Sequence, residues 1–311
     1  MESLTRRLKD QGKKNLRRVF EVGQRLGMDV LPRHFYSEIP DIRGLKADER
    51  WKEPREMVGV SGVDPAEQLD FVRACCPAAI VDRLRRNDIF AQACAANGAA
   101  GFGAVEADFL YAFIRAQRPA RVVQVGCGVS TAVILRAAAD GCFPMKVTCV
   151  DPYPSTYLRD ADRQGRIELV PERAQDVPAE ILTDLGSGGL LFVDSSHVVG
   201  PGSEVNRITL DILPRLAEGA WVHFHDIFFP FDYQRGLLDD ELFFSNESAL
   251  LHAFLIGNHR YTIRAALSLL HYADRAALGE CLPNYRPGQD DHGLRASDGH
   301  FPASTYLQVV A

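Results

Sequence analysis

Short, nearly all-apolar runs at Arg121–Val125, Lys146–Val150, Ile167–Val170, Leu190–Val193 and Ala220–Phe224 constrain the fold of this chain more than any other feature. Runs of that length without polar alternation suit strands covered on both faces. Helical patterns separate several of them, at Ala132–Ala139, Ala179–Leu185 and Glu204–Leu216. Strand–helix alternation of this kind predicts a parallel sheet between two layers of helices. The later pieces predict an antiparallel ending, with a helix at Ser248–Ile256 and strands at Tyr261–Arg264 and Thr305–Val310.

The first strand runs straight into Gly126-Cys-Gly128 and then Ser130-Thr131, which suits the start of a helix. Glycines there let the backbone approach a ligand, and a helix start offers unpaired N–H groups. A dinucleotide fingerprint needs a third glycine, and Thr131 stands in its place. The second strand ends in Asp151, a little over twenty residues after the glycines, where an acid accepts hydrogen bonds from ribose hydroxyls. Together these predict a nucleotide-like cofactor, and the incomplete fingerprint argues against a nicotinamide.

The chain has 311 residues, 46% of them hydrophobic and 24% charged, with a net charge of −6. That is long enough for one large domain and a smaller one. The acidic balance argues against nucleic acid or an anionic membrane as partner. No apolar run approaches the roughly 18–20 residues of a membrane span, and the start lacks a leader pattern. The seven cysteines have no metal-like spacing, so reduced thiols in a cytoplasmic protein are expected.

Residues 2–26 are basic, with Leu4, Leu8, Leu16, Val19, Phe20 and Leu26 at loosely helical spacing. The pattern suits a solvated helix that docks on the domain or pairs two copies as a homodimer. Residues 29–60 read as an extended, proline-punctuated segment, and helical patterns recur at Ala66–Cys75 and Asp88–Ala96. The expected division is a helical extension over 1–98, acting as a lid or dimerisation element, and a catalytic domain over 99–311. A helix follows Gly101, and Glu106 or Tyr111 on it suits a reach toward the cofactor. His271–Ala303 reads as a long surface loop or lid.

In an open parallel sheet, ligands lie beyond the carboxyl ends of the strands. Asp194-Ser-Ser-His197 follows the fourth strand there, and His223-Phe-His-Asp226 closes the fifth. A histidine titrates near neutral pH and can take a proton from an acceptor hydroxyl. His197 is the first candidate for that base, with His225 as the other and Asp226 or Asp194 to orient it. His223 reads as a packed core histidine facing away from His225. Phe228-Phe-Pro-Phe-Asp-Tyr233 reads as an apolar wall beside the acceptor.

Gln124-Val-Gly-Cys-Gly-Val-Ser130, Cys149-Val-Asp-Pro-Tyr153, Arg173-Ala-Gln-Asp-Val177, Leu191-Phe-Val-Asp194 and Trp221-Val-His-Phe-His-Asp226 occur in this order. In that order they resemble the class I S-adenosylmethionine-dependent methyltransferases, most of all small-molecule O-methyltransferases of the macrolide-sugar type. The likeness runs from about Gly101 to the end. It implies an α/β, Rossmann-like, doubly wound, mostly parallel seven-stranded sheet with an antiparallel ending, here preceded by the helical extension. It implies that Gln124, Gly126, Gly128 and Ser130 hold the methionine and ribose part of S-adenosylmethionine. Asp151 and Pro152 would meet the ribose, Asp176 and Val177 the adenine, and Asp194 the reacting end. The implied reaction is methyl transfer to a hydroxyl of a small-molecule acceptor.

In those relatives the Asp-x-x-His spacing supplies a metal-binding Asp and a basic His, and an acidic pair after the fifth strand completes a divalent metal site. His225-Asp226 stands where that acidic pair would be. The implied ligands are Asp194, Asp226 and His225, for Mg²⁺ or, given the imidazole, a transition metal. Three alternatives stay open on these residues. They are N- or C-methylation without a metal, a nicotinamide-dependent oxidoreductase, and a non-catalytic binding protein.

Overall fold

The computed structural model describes residues 15–35, 37–233, 238, 244–287 and 302–311. Most of the expected basic stretch, nearly all of 234–243 and the segment 288–301 of the expected lid lie outside the described residues. Among the described residues, no helix is long and apolar enough to cross a membrane. The chain forms two compact units, 1–47 and 48–311. The first holds helix α1 over 15–25, with Leu16, Val19 and Val22 exposed, and the short α2 (Ile42–Ala47).

The second unit is built on seven strands: β1 (Arg121–Val125), β2 (Lys146–Val150), β3 (Glu168–Val170), β4 (Leu190–Val193), β5 (Trp221–Phe224), β6 (Tyr261–Ala266) and β7 (Thr305–Val309). Their order across the sheet is β3-β2-β1-β4-β5-β7-β6. The first five strands pair in parallel, and β7 runs antiparallel to both β5 and β6. Five of these strands match the apolar runs, and the sheet is the one expected.

Period-two alternation splits the strand side chains between two apolar layers. Val122, Leu190, Phe192 and Trp221 face one, and Val123, Val125, Leu191, Val193, Val222 and Phe224 face the other. Helices α3 (Pro65–Cys75), α4 (Ala78–Leu84), α5 (Ile89–Asn97), α6 (Ala104–Gln117) and α7 (Val129–Gly141) pack on the first layer, joined by residues of the helices at 156–163 and 267–281. Val105 to Ile114 of α6 are all buried, because sheet and helices enclose it. The other layer is filled by α9 (Ala179–Thr183), residues 208–216 and α11 (Glu247–Leu255). Between them in sequence, α8 (Thr156–Arg163) follows β2, a helix that the sequence reading did not single out. The helices at 65–97, expected in the extension, thus lie within the second unit and contribute to its core.

Glu204–Leu216 is not one helix. It is one turn, α10 (Glu204–Arg207), then a π turn at Ile208–Ile212 and a 3₁₀ turn at Leu213–Arg215. Pro214 has no N–H for a continuing ladder. The reading of 271 onward as loop is corrected up to Cys281. α12 (Leu267–Ala273) and α13 (Arg275–Cys281) occupy its first eleven residues except Asp274, and His271 is fully buried against the Tyr285 hydroxyl. Their polar residues cap and pair, which composition alone reads as loop. Phe229 packs into the core, while Phe228 and Phe231 form a small cluster with Ala303.

Candidate active site

The glycine turn is shaped by its neighbours. Gly126 has φ +78°, and a Cβ there would lie 1.8 Å from the Asp194 carbonyl oxygen. The tips of β1 and β4 therefore touch at a point where only glycine fits. Gly128, at φ +152°, starts α7 beneath the Asn97 side chain. Asp151 accepts from the Cys127 N–H (3.1 Å) and the Tyr153 N–H (2.7 Å), which ties the tip of β2 to the glycine loop. Those bonds fix the carboxylate at the rim while leaving it lone pairs for a ligand.

Not every expected cofactor residue reaches this rim. Gln124 is fully buried and donates to Ser130 Oγ at 3.2 Å, so the pair clamps β1 to α7 beneath the loop. The Val177 side chain is core, and exposed Asp176 pairs with Arg173 at 2.7 Å. Pro152 is exposed beside Asp151. Tyr111 bonds Asp140 (2.9 Å) away from the strand tips, so it makes no reach toward the cofactor.

At the tips of β4 and β5 the sequence motifs do converge. Asp194 Oδ1 lies 3.5 Å from His197 Nε2 and 3.4 Å from His225 Nδ1. Asp226 faces the same two nitrogens at 3.6 and 3.5 Å. Asp194, His197 and His225 each offer a donor atom, all within 4.8 Å of one another. His197 and Asp226 adopt left-handed φ of +59° and +52°. Such strain in side chains other than glycine clusters at functional sites.

Two glutamates stand behind the histidines. Glu247, first residue of α11, meets His197 Nδ1 at 2.8 Å, and Glu106 in the first turn of α6 meets His225 Nε2 at 2.8 Å. Both are buried, at 1% and 3% exposure. Sequence reasoning took Glu106 for a reach toward the cofactor and gave Glu247 no partner. Its only signal was an acid within an otherwise apolar helix face. Asn246 does not cap with its side chain; its Oδ1 accepts from the Val199 N–H at 2.6 Å and steadies the loop carrying His197.

Burial opposes charge on His197, but hydrogen bonds to Asp194 and Glu247 and the charges of Glu247 and Asp226 override it, raising its pKa to about 10. His225 is raised well above its ordinary value, since Asp226, Glu106 and Asp194 outweigh burial. Burial likewise works against an ionised Asp194, yet the two imidazoles hold it far below the usual carboxylate range. His223 shifts the other way. Burial, then the charge of His225, push it well below its ordinary value, and its Nε2 pairs with Ser304 Oγ at 2.9 Å. It is a core histidine as expected, stacked on Phe192 at 4.2 Å. It does not face away from His225, however. Residues two apart on a strand share a face, and the Phe102 ring touches both.

Residues 123–227 match the model of a family described as a methyltransferase domain. The matched stretch is a methyltransferase domain that runs from β1 to the tip of β5, so it holds the glycine turn, Asp151 and the β4 and β5 ends, on a seven-stranded Rossmann-like sheet. Among solved structures it is similar to the methyltransferase PaMTH1 of Podospora anserina with S-adenosylhomocysteine bound, at 15% identity, covering 91% of this chain and 99% of that one with a TM-score of 0.39. It is also similar to the Burkholderia thailandensis 1,6-didemethyltoxoflavin N1-methyltransferase, at 12% identity, covering 65% and 77% with a TM-score of 0.35. These likenesses are too distant to bear on the acceptor. No curated protein matches the chain.

Proposed function

We propose that this chain methylates an oxygen of a small-molecule acceptor bound beyond the tips of β4 and β5. The observation that carries the reading is the Glu247–His197 couple, 2.8 Å long, which turns the other ring nitrogen toward Asp194 and Asp226. Gly126 and Gly128 supply the open backbone for the methionine end of the cofactor, and Asp151 with Pro152 the ribose end. Asp176 and the Val177 backbone would meet the adenine. Asp194, whose N–H donates to the Val125 carbonyl just before the glycine loop, would set the acceptor's distance from the sulfur. Gln124 and Ser130 support this cradle from below. An alcohol is a poor nucleophile in an in-line displacement, so its proton has to leave as the methyl arrives. His197 Nε2 takes that proton, and Glu247 holds the ring and balances its charge. The sulfonium of bound cofactor would place positive charge beside Asp194 and Asp226, which would weaken their hold on the His197 proton and leave Nε2 able to accept.

The ring of donors at the two strand tips favours a divalent cation as well. Asp194, Asp226 and His225 would hold it, and its chemistry there is to polarise the acceptor oxygen. His197 stays free of it as the base. H197A is expected to lower turnover by about 10²–10⁴-fold while S-adenosylhomocysteine still binds. An unchanged rate would refute the base, and N- or C-methylation, which leans on positioning rather than a base, would then take its place.

A further inference from the structure

We infer that Glu106 fixes His225 as an imidazole ligand, so that the tips of β4 and β5 form a mixed carboxylate–imidazole site for a borderline transition ion such as Mn²⁺, Fe²⁺ or Zn²⁺ in preference to Mg²⁺. The inference rests on the site proposed above but not on the acceptor or the base. Glu106 is spoken for on both oxygens. Oε2 meets His225 Nε2 at 2.8 Å, and Oε1 accepts from the Ala303 N–H at 3.0 Å and Ser304 Oγ at 2.8 Å. A buried carboxylate so filled can only accept from His225, which sets the proton on Nε2 and leaves the Nδ1 lone pair facing outward.

That Nδ1 is the second observation. It is buried in a residue only 9% exposed and makes no hydrogen bond in the chain. It is aimed between Asp194 Oδ1 at 3.4 Å and Asp226 Oδ1 at 3.5 Å. Those separations are long for hydrogen bonds. They suit donors around one ion, since bonds of about 2.1 Å at tetrahedral angles set neighbouring ligands roughly 3.4 Å apart. An imidazole whose far nitrogen donates to a carboxylate is the usual outer support of a metal-binding histidine. Phe102 lies on the His225 ring at 4.9 Å, and a side chain at Gly103 would collide with Glu106 Oε2 at 2.4 Å. The loop before α6 is thus shaped to keep the pair in place. Imidazole shifts preference from Mg²⁺, which favours an all-oxygen shell, toward softer divalent ions.

Glu106→Gln tests this in the full chain. An amide there still accepts from Ala303 and Ser304, but it presents N–H to His225 Nε2 and so moves the ring proton to Nδ1. Mn²⁺ titrated by electron paramagnetic resonance should bind the wild type at least about tenfold tighter than Mg²⁺ does in competition. E106Q should weaken Mn²⁺ by about 10–100-fold, with S-adenosylhomocysteine affinity and Tm preserved. Should E106Q not fold, His225→Asp restores an acidic pair and should shift the preference toward Mg²⁺. Mn²⁺ binding that is absent in the wild type, equal in E106Q, or unchanged in its ratio to Mg²⁺ in H225D overturns the inference. Loss of S-adenosylhomocysteine binding in the wild type would instead strike at the proposed function.

Discussion

Gly126→Ala puts the geometry of the cofactor cradle to its hardest test. Alanine at φ +78° costs about 1–2 kcal/mol for the left-handed backbone alone. The added Cβ would also sit 1.8 Å from the Asp194 carbonyl oxygen, where about 3 Å is the shortest tolerable approach. One of the two strand tips must therefore retreat by on the order of 1 Å. The Asp194 N–H bond to the Val125 carbonyl, at 2.9 Å, resists that retreat. Stretching it adds about 1 kcal/mol, for a total near 2–3 kcal/mol. Gly165→Ala separates strain from collision. Its φ of +67° is similarly left-handed, yet nothing lies within 4 Å of its added Cβ. Urea unfolding should show a loss of about 1–2 kcal/mol for G165A and clearly more for G126A. Calorimetry with S-adenosylhomocysteine should show G165A unchanged and G126A weakened by at least about 100-fold, or some 2.7 kcal/mol. A G126A protein that binds within threefold of wild type would refute the placement of the cofactor on this turn.

Three further expectations follow from other side chains. Glu247→Gln keeps the size and a hydrogen bond to His197 but removes the charge. Turnover should fall by about tenfold or more with little change in S-adenosylhomocysteine binding, and equal turnover would make Glu247 a packing residue. Chelation with EDTA should lower the rate, with Mn²⁺ restoring it better than Mg²⁺; a rate indifferent to EDTA removes the ion. Asp108, buried on α6 and bonded by the Asn284 amide at 2.7 Å, is raised by burial to about 6 from 3.8. A folded pKa above the unfolded one gives stability that is full below about pH 4 and lost as pH rises through 6. At pH 8 the buried charge therefore costs at most about 3 kcal/mol. D108N should raise Tm at pH 8 and leave it nearly unchanged at pH 4, and the opposite pattern would overturn the assignment.

How much of this was legible in the sequence depends on whether an interaction is local or crosses the sheet. The strands could be read because each is one apolar run, and the glycine turn because Gly126 and Gly128 sit beside it. His197 and Asp226 could be nominated because strand ends place them, whatever their partners. The two glutamates could not. Glu106 lies 119 positions from His225, and Glu247 lies 50 from His197. Each looks like an ordinary first-turn acid, a residue that helix electrostatics favours without any partner. The burial of the Gln124 and Val177 side chains was illegible for a related reason. A motif fixes which residues are near a loop, but burial decides which of their atoms face it, and both side chains turn into the core. The same reasoning explains why the start of the tail, from His271 to Cys281, was misread. Asp274 caps α13 by accepting from the Ala277 N–H at 2.9 Å, and His271 satisfies itself on Tyr285. Polar residues that serve helix ends and buried pairs give a chain the composition of a loop. The acidic residues that matter most here are those whose charge has no local use, and only the fold identifies them.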